Sequence, residues 1–436
     1  MRGTLPWVSA LGALLVGCGG TELIDDTFST SEWQLVQTLS PLPAIPADPT
    51  NAVADDPDAA ALGQMLFFDT RAAGALTVGD DGANGAPGQV GDTGKVGCVT
   101  CHTVESGWLD DTRSKPGNVS IGAGYGKRNA PPIVNAVFYG WFGWAGQDDT
   151  QWHQACGTTE SAVSHASSRL AIAHLLYDHY KAPYEAVFGA IDARFDPLSA
   201  SAADFPATGK PGDAAFDAMP EADQTIVNRM FANYGKALAA YDRLMVSRNA
   251  PFDRYVAGDT TAISTAAKRG LKLFIGEAGC VACHKTPLFS DSDFHDIGLG
   301  QTGDHIPTED LGRYTAVMKL QTDPMSSAGA YSDSPSSSKV PALTLDDSLK
   351  GKFRTKHLRQ IAETGPYMHT GEFATLADVV EFYDRGGDDT GFAGTKDPRI
   401  VPLGLTDGDK TDLIAFLGTL TGDPLDPAVL VDTHAP

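Results

Sequence analysis

The sequence predicts a mainly α-helical protein with long irregular connections, and three observations carry this prediction. Residues 59–68, 223–245 and 262–275 each repeat apolar side chains at helical spacing. Strand-like alternation of apolar and polar residues is scarce. Residues 79–97 and 322–339 are rich in small and polar residues, which favours surface loops. At 436 residues, of which 42% are hydrophobic, the chain is long enough for two or three domains.

The charged side chains give a formal net charge of −23. Such a surface repels the phosphates of nucleic acids and anionic lipid head groups, so neither is an expected partner. It would attract a basic protein, although an acidic surface also serves solubility alone.

Residues 1–18 predict a lipoprotein signal peptide. Arg2 supplies a positive charge, and residues 8–16 form an apolar run that is too short to span a bilayer. The run ends in a Leu-Val-Gly-Cys sequence that is typical of a lipobox, in which the signal is cut before an acylated Cys18. An ordinary signal peptide with an incidental cysteine is the alternative. We therefore expect a periplasmic protein that touches a membrane through this anchor only.

Residues 19–49 follow the lipobox and are rich in serine, threonine, proline and aspartate. This composition predicts a flexible tether between the anchor and the folded part of the protein.

Four of the six cysteines belong to two copies of one short motif, which start 182 residues apart. Each copy has two cysteines and a histidine within five residues, namely Cys98, Cys101 and His102 in the first and Cys280, Cys283 and His284 in the second. Cys-x-x-Cys-His supplies two thiols that bond to the vinyl groups of a c-type haem and an imidazole that reaches its iron. A zinc site or a redox dithiol is the alternative, but either leaves the paired histidines unexplained.

We therefore predict two covalently bound c-type haems, with His102 and His284 as the proximal iron ligands. One haem in each domain assigns residues 50–255 to haem 1 and residues 256–436 to haem 2. The remaining Cys156 is predicted to be a buried thiol.

Several segments around these motifs share the pattern of one family. They are Arg128-Asn129-Ala130-Pro131, Trp144-Ala145-Gly146-Gln147, Gln154-Ala155 and the block from Thr364 through Gly365-Pro366-Tyr367-Met368-His369 to Gly371. On these residues the chain resembles the di-haem cytochrome c peroxidase and MauG family, over most of residues 59–420. The resemblance implies two cytochrome c-like domains whose haems face their interface.

The resemblance also implies peroxide-dependent redox chemistry, with hydrogen peroxide reacting at haem 1 and electrons moving through haem 2. In the cytochrome c peroxidase branch, a cytochrome c or a cupredoxin donates the electrons. In the MauG branch, side chains of a secreted partner protein are oxidised instead. A di-haem electron carrier without peroxidase activity is the alternative. The oligomeric state stays open, although members of the peroxidase branch are often dimers.

The family pattern assigns roles to individual residues. Trp144 matches a tryptophan that relays electrons between the haems, and Gln154 matches a residue on the open side of haem 1. Asn129, Thr364 and Pro366 match residues that hold a calcium ion between the haems, and their oxygen donors suit a hard cation. The alternatives are a core aromatic at Trp144 and a metal-free turn at Asn129.

Tyr383 lies fourteen residues after His369, where the peroxidase branch has a methionine ligand and the MauG branch a tyrosine. A tyrosinate oxygen stabilises ferric and higher oxidation states. Haem 2 held by His284 and Tyr383 should therefore have a low reduction potential. Met368 is the rival ligand.

Two family features are absent. Ser164 occupies the position of the acid-base glutamate, although cleavage of an O–O bond needs a proton carried between the oxygens. Glu160 and His165 are the candidates to take over the role of this glutamate. The alternatives are that Glu160 is a solvated loop residue and that His165 is a capping or surface histidine. No histidine lies between His102 and His153 to cap haem 1, so haem 1 is expected to be open without prior reduction.

Overall fold

The computed structural model describes residues 23–196 and 204–434. Regular structure in these residues is almost entirely helical, as predicted. The α-helices are α1 Thr30–Gln37, α2 Pro57–Phe68, α3 Cys98–Cys101, α4 Gln151–Thr159, α5 Arg169–Phe188, α6 Ala214–Asp217, α7 Glu221–Asp242, α8 Pro251–Val256, α9 Thr265–Ile275, α10 Arg313–Leu320, α11 Leu376–Asp384 and α12 Asp407–Gly418. Two short strands, β1 Phe294–His295 and β2 Phe353–Arg354, pair antiparallel. The predicted lipobox at Cys18 lies outside the described residues.

The three helices predicted from periodicity are confirmed as α2, α7 and α9. Helix α2 begins at a strong cap, because the Asp56 carboxylate accepts hydrogen bonds from the backbone of residues 58 and 59 and Pro57 occupies the first turn. Helix α9 begins in the same way at Ser264, whose hydroxyl accepts from the backbone of residue 267. Its predicted apolar side, Leu271 and Phe274, is buried.

Buried apolar side chains form two large clusters, which we call the first cluster and the second cluster. The first cluster gathers α2, α4, α5 and α7, and the second gathers α8, α9, α11 and α12. The first includes Met245, whereas Phe252 and Tyr255 of α8 already belong to the second. The chain therefore passes from the first cluster to the second between Met245 and Phe252, and the domain boundary at residue 255 stays a prediction.

The helix before each Cys-x-x-Cys-His motif crosses another helix at a glycine. Gly63 of α2 lies against the backbone of Ala237 in α7, and Gly270 of α9 lies against the backbone of Asp412 in α12. A Cβ atom at either glycine would overlap a backbone carbonyl oxygen. Only glycine allows these helices to approach so closely, so both crossings depend on it.

The N-terminal segment differs from the predicted flexible tether. Helix α1 carries a complete capping box at Ser29, and Phe28, Val36 and Leu39 are fully buried in the second cluster. The Asp25 carboxylate lies 2.7 Å from the Lys268 ammonium of α9. Residues 23–39 are therefore a packed arm, because three apolar side chains outweigh the polar composition that suggested a tether.

The other end of the chain packs in the opposite direction. Leu425 and Val429 are buried in the first cluster, and the Tyr241 hydroxyl of α7 donates to the Val429 carbonyl. The N-terminal arm thus binds the second cluster while the C-terminal segment binds the first, so each end of the chain holds the half that is distant in sequence.

Neither of the two predicted loops contains an α-helix or a β-strand, as expected. Residues 79–97 run along the surface in turns. Residues 322–339 are more firmly held than a surface loop, because Met325 and Tyr331 are buried in the first cluster. The Asp149 carboxylate also accepts hydrogen bonds from the backbone and hydroxyl of Ser327.

His153 of α4 is buried among carboxylates at the base of this loop. Its Nδ1 donates to Asp149 over 3.0 Å, and its Nε2 lies 3.2 Å from Asp323 and 3.6 Å from Asp148. Burial alone would lower the pKa of His153, but these carboxylates outweigh burial and raise it to about 9. Lys319, 3.3 Å from Asp148, is the other cation of the network. His153 is therefore an imidazolium at neutral pH, and it joins α4 to residues 322–339.

We predict that replacing His153 by glutamine removes a pH-dependent part of the stability. The folded-state pKa of about 9 exceeds the ordinary histidine value near 6.5, so the contribution is fully present below about pH 6.5 and is lost as pH rises through 9. It amounts to ~2–3 kcal/mol. Thermal melting of the holoprotein between pH 6 and 9.5 measures it. His174→Gln, on α5, is the matched control, and an unchanged pH slope in His153→Gln would contradict the prediction.

Candidate active site

The first Cys-x-x-Cys-His motif lines a buried cavity in the half of the protein that the first cluster supports. Cys98 and Cys101 are free thiols, and both face the cavity together with His102. The His102 imidazole is partly buried, and its Nδ1 lies 3.2 Å from the Leu109 carbonyl. Nδ1 therefore donates its hydrogen to this carbonyl, which leaves the Nε2 lone pair free for a metal ion.

The second motif repeats this arrangement in a separate cavity. Cys280, Cys283 and His284 line it, and His284 Nδ1 lies 2.9 Å from the Phe289 carbonyl. Burial lowers the pKa of His284, as it does that of His102, so both imidazoles are neutral at pH 7. Two free thiols beside a neutral, oriented imidazole fit a covalently bound haem, and each cavity supplies this set.

The two cavities share one wall. The residues that line both are Asn129, Ala130, Pro131, Pro132, Trp144, Arg354 and Lys356. The Trp144 indole nitrogen donates to the Asn129 carbonyl over 2.7 Å, which fixes the ring in this wall. The position between the cavities agrees with the predicted relay geometry, and the relay itself stays a prediction.

Gln154, Ser164 and His165 all line the first cavity. The Gln154 amide nitrogen donates to the Thr158 hydroxyl over 2.8 Å, so its orientation is set within α4. Burial, followed by the influence of the His102 imidazole, lowers the pKa of His165 to about 4. His165 is therefore a neutral imidazole at pH 7 that can accept a proton inside the cavity.

Glu160 is not among the residues that line the cavity, so its role as an acid-base group stays a prediction with less support than that of His165. Its carboxylate accepts two hydrogen bonds from the Arg169 guanidinium, at 2.9 and 2.8 Å, and a third from the Arg169 backbone. The Lys210 ammonium donates to its backbone carbonyl. This carboxylate is committed to the start of α5. Cys156 is buried, as predicted.

Both candidate ligands for the second haem line the second cavity. Tyr383 extends from α11, and burial is the largest cause that raises its pKa. Met368 lines the same cavity from the loop before His369. The His369 ring stacks on Phe353 with centroids 3.8 Å apart, and its Nε2 lies 2.9 Å from the Gln301 amide nitrogen. The choice between Tyr383 and Met368 stays a prediction.

The three predicted calcium ligands all line the second cavity. Asn129 donates from its amide nitrogen to the Pro366 carbonyl over 3.2 Å, and its amide oxygen accepts from Ser114 and Ser120. The Thr364 hydroxyl donates to the Gln360 carbonyl over 3.3 Å. A calcium ion at Pro366 would need the Asn129 amide turned so that its oxygen faces the ion.

The sequence reasoning assigned no role to Arg354 and Lys356, which are buried cations in the shared wall. Both side chains line both cavities, whereas Thr355 between them lines only the second. The signal in the sequence was the pair of basic residues at positions 354 and 356, shortly before the block from Thr364 to Gly371.

Comparisons with known proteins agree with this geometry. Residues 57–261 match the family model described as di-haem cytochrome c peroxidase. The cytochrome-c peroxidase IdrP1 of Denitromonas iodatirespirans is 33% identical over 390 residues, which cover 88% of this chain and 86% of that protein. The methylamine utilization protein MauG of Methylorubrum extorquens is 37% identical over 192 residues, which cover 43% of this chain and 44% of MauG. The crystal structure of a MauG-like protein associated with microbial copper homeostasis aligns with a TM-score of 0.57 and 25% identity, and covers 90% of this chain and 98% of that one.

The fold and the paired cavities define a di-haem oxidoreductase of the c type that depends on peroxide. The chain belongs to the di-haem cytochrome c peroxidase and MauG family.

We predict that each motif attaches one haem independently. Replacing Cys280 and Cys283 by serine should leave a protein with one covalent haem, so its mass and its pyridine haemochrome absorbance fall by one haem. Cys156→Ser is the matched control and should keep both haems, because this buried thiol belongs to neither Cys-x-x-Cys-His motif. Two haems retained in the double serine variant would contradict the assignment.

Proposed function

We propose that the protein reduces hydrogen peroxide at the first cavity and withdraws the necessary electrons from a protein partner through the wall at Trp144 and the second cavity. The observation that carries this proposal is the wall itself, in which one oriented indole separates two equivalent haem sites. Bound haem iron supplies a centre that binds peroxide and passes electrons one at a time.

His165 is the residue best suited to handle the proton. Heterolysis of the O–O bond needs a base that takes the proton from one oxygen and returns it to the other, which leaves as water. A neutral imidazole performs both steps, and the lowered pKa of His165 keeps it neutral at pH 7. The Gln154 amide, held by Thr158, faces the same space and can orient the peroxide. Ser164 beside His165 therefore need not replace the family glutamate.

We predict that His165→Gln slows the reaction of the holoprotein with hydrogen peroxide by ~10²–10⁴-fold, the usual contribution of one acid-base group. Stopped-flow absorbance of the oxidised protein measures the rate. Glu160→Gln is the comparison, because it loses the Arg169 ion pair and should lower the melting temperature while leaving the rate unchanged. A slow Glu160→Gln variant beside a normal His165→Gln variant would reverse the two assignments.

Tyr383 decides which kind of partner the protein serves. A phenolate ligand favours the oxidised states of haem 2 and suits the removal of electrons from a partner, as in the MauG branch. A methionine ligand would raise the potential and suit electron entry from a small cytochrome c or a cupredoxin. We favour Tyr383 as the ligand and a secreted protein as the substrate. The net charge of −23 suits a basic partner surface.

We predict that Tyr383→Met raises the reduction potential of haem 2 and changes its visible and EPR spectra, while haem 1 stays as it was. Met368→Leu should leave both haems unchanged. If Met368→Leu alters haem 2 and Tyr383→Met does not, the rival ligand is correct and the electron-donor version of the function is favoured.

Other parts of the proposal rest on fewer observations. Export follows from the signal-like N-terminus, and lipidation at Cys18 from the lipobox. In residues 23–196 and 204–434, no helix combines the length and the apolar character that a membrane span requires. We also propose calcium at Asn129, Thr364 and Pro366, since all three line the second cavity. Two haem domains are supported by the two clusters.

A further inference from the structure

Two cations in the shared wall lack hydrogen-bond partners within the described residues. Arg354 is 3% exposed, and its Nε and Nη2 atoms are buried without an acceptor. The Lys356 ammonium nitrogen is also buried without a hydrogen-bond acceptor. Both side chains line both cavities. Burial lowers the pKa of both groups, that of Lys356 well below its ordinary value, because no bound anion offsets the cost of burying the charge. Two such groups together indicate that an anion belongs beside them.

The protein groups around them do not supply that anion. The Arg354 guanidinium carbon lies 4.0 Å from the Tyr139 ring centroid, and the Lys356 nitrogen lies 4.8 Å from the Trp144 ring. Aromatic faces compensate a desolvated cation only in part. Asp110 lines the second cavity and attracts the Lys356 ammonium, but it forms no hydrogen bond with it in the described residues, and burial raises the pKa of Asp110 to about 7, so its carboxyl group is only partly ionised at neutral pH.

We propose that Arg354 and Lys356 form one anion site that both cavities share, and that this site binds a propionate carboxylate from each haem. The proposal rests on the two haems assigned above. Haem carries two carboxylates at one edge, and a guanidinium pairs with a carboxylate through two parallel hydrogen bonds. A cation reachable from both cavities can therefore hold the carboxylate edges of both haems toward the same wall.

The backbone ties this anion site to Trp144. Arg354 lies on β2, and its backbone N–H donates to the Trp144 carbonyl over 2.8 Å. Carboxylates paired with Arg354 and Lys356 would thus lie beside the indole. Bare cations there would oppose the removal of an electron from Trp144, and carboxylates offset that charge. Arg354 and Lys356 are positioning residues that set the orientation of both haems and the charge around the relay.

Reduction potentials test this proposal. Lys356→Gln and Arg354→Gln remove one cation each, Arg354→Lys keeps the charge, and Lys339→Gln is the matched control. Lys339 is an exposed lysine whose ammonium lies 4.0 Å from the Trp141 ring centroid, and it lines neither cavity. Haem content is measured first, then the potentials of both haems by spectroelectrochemical titration, and the propionate bending bands by resonance Raman spectroscopy.

Loss of a cation beside the carboxylates should favour the oxidised form of both haems. We expect the ratio of reduced to oxidised haem at a fixed potential to fall about tenfold for each, equivalent to ~59 mV for a one-electron couple. The propionate bands should shift, Arg354→Lys should retain most of the wild-type potential, and Lys339→Gln should match wild type.

Failure of the proposed function and failure of the anion site would give different results. A wild-type protein that binds fewer than two haems would overturn the proposed function together with this site. Two bound haems with unchanged potentials in Lys356→Gln and Arg354→Gln would overturn the anion site alone. A shift confined to one haem would show that the site is not shared. If Arg354→Gln does not bind haem, Lys356→Gln decides between these outcomes.

Discussion

The arrangement of both cavities depends on how Trp144 is held. Its indole nitrogen donates to the Asn129 carbonyl, and its own carbonyl accepts from the Arg354 backbone. Asn129 precedes the change of cluster at residues 245–252 and Arg354 follows it, so the wall is built by both halves of the chain. Neither half forms a closed haem pocket without the other. The arm at Phe28 and the segment at Val429, which cross between the halves, strengthen the same association.

The two halves reach their similar sites through one local device. In each, a helix with glycine four residues before phenylalanine, Gly63 and Phe67 in α2 and Gly270 and Phe274 in α9, crosses a partner helix at the glycine. The close crossing brings the following motif to a fixed place against the cluster. The first motif begins 35 residues after its glycine and the second 10 residues after, and the irregular segment 79–97 falls within the longer interval. The loop adds surface without changing the crossing.

A feature can be predicted from the sequence when the residues that interact lie close together along the chain. The haem motifs are local, and covalent chemistry fixes Cys98, Cys101 and His102 within one turn, so spacing alone is enough. Helices α2, α7 and α9 follow from local periodicity. The packed arm could not be predicted, because the burial of Phe28 depends on a helix more than 200 residues away. The ion pair of Glu160 could not be predicted either, since nothing near Glu160 in sequence shows that Arg169 holds it.

His165 and Trp144 occupy different places in the first cavity, because only Trp144 also lines the second. In the proposed function, His165 exchanges a proton with the peroxide and Trp144 passes electrons toward the second cavity. Burial keeps the imidazole neutral by lowering its pKa. The indole is neutral already, but it lies beside the Lys356 ammonium, so the charge around it depends on what that group binds. If the anion site is filled as we propose, the occupants of both cavities together set how readily Trp144 loses an electron, which would couple the second site to the first without a change of fold.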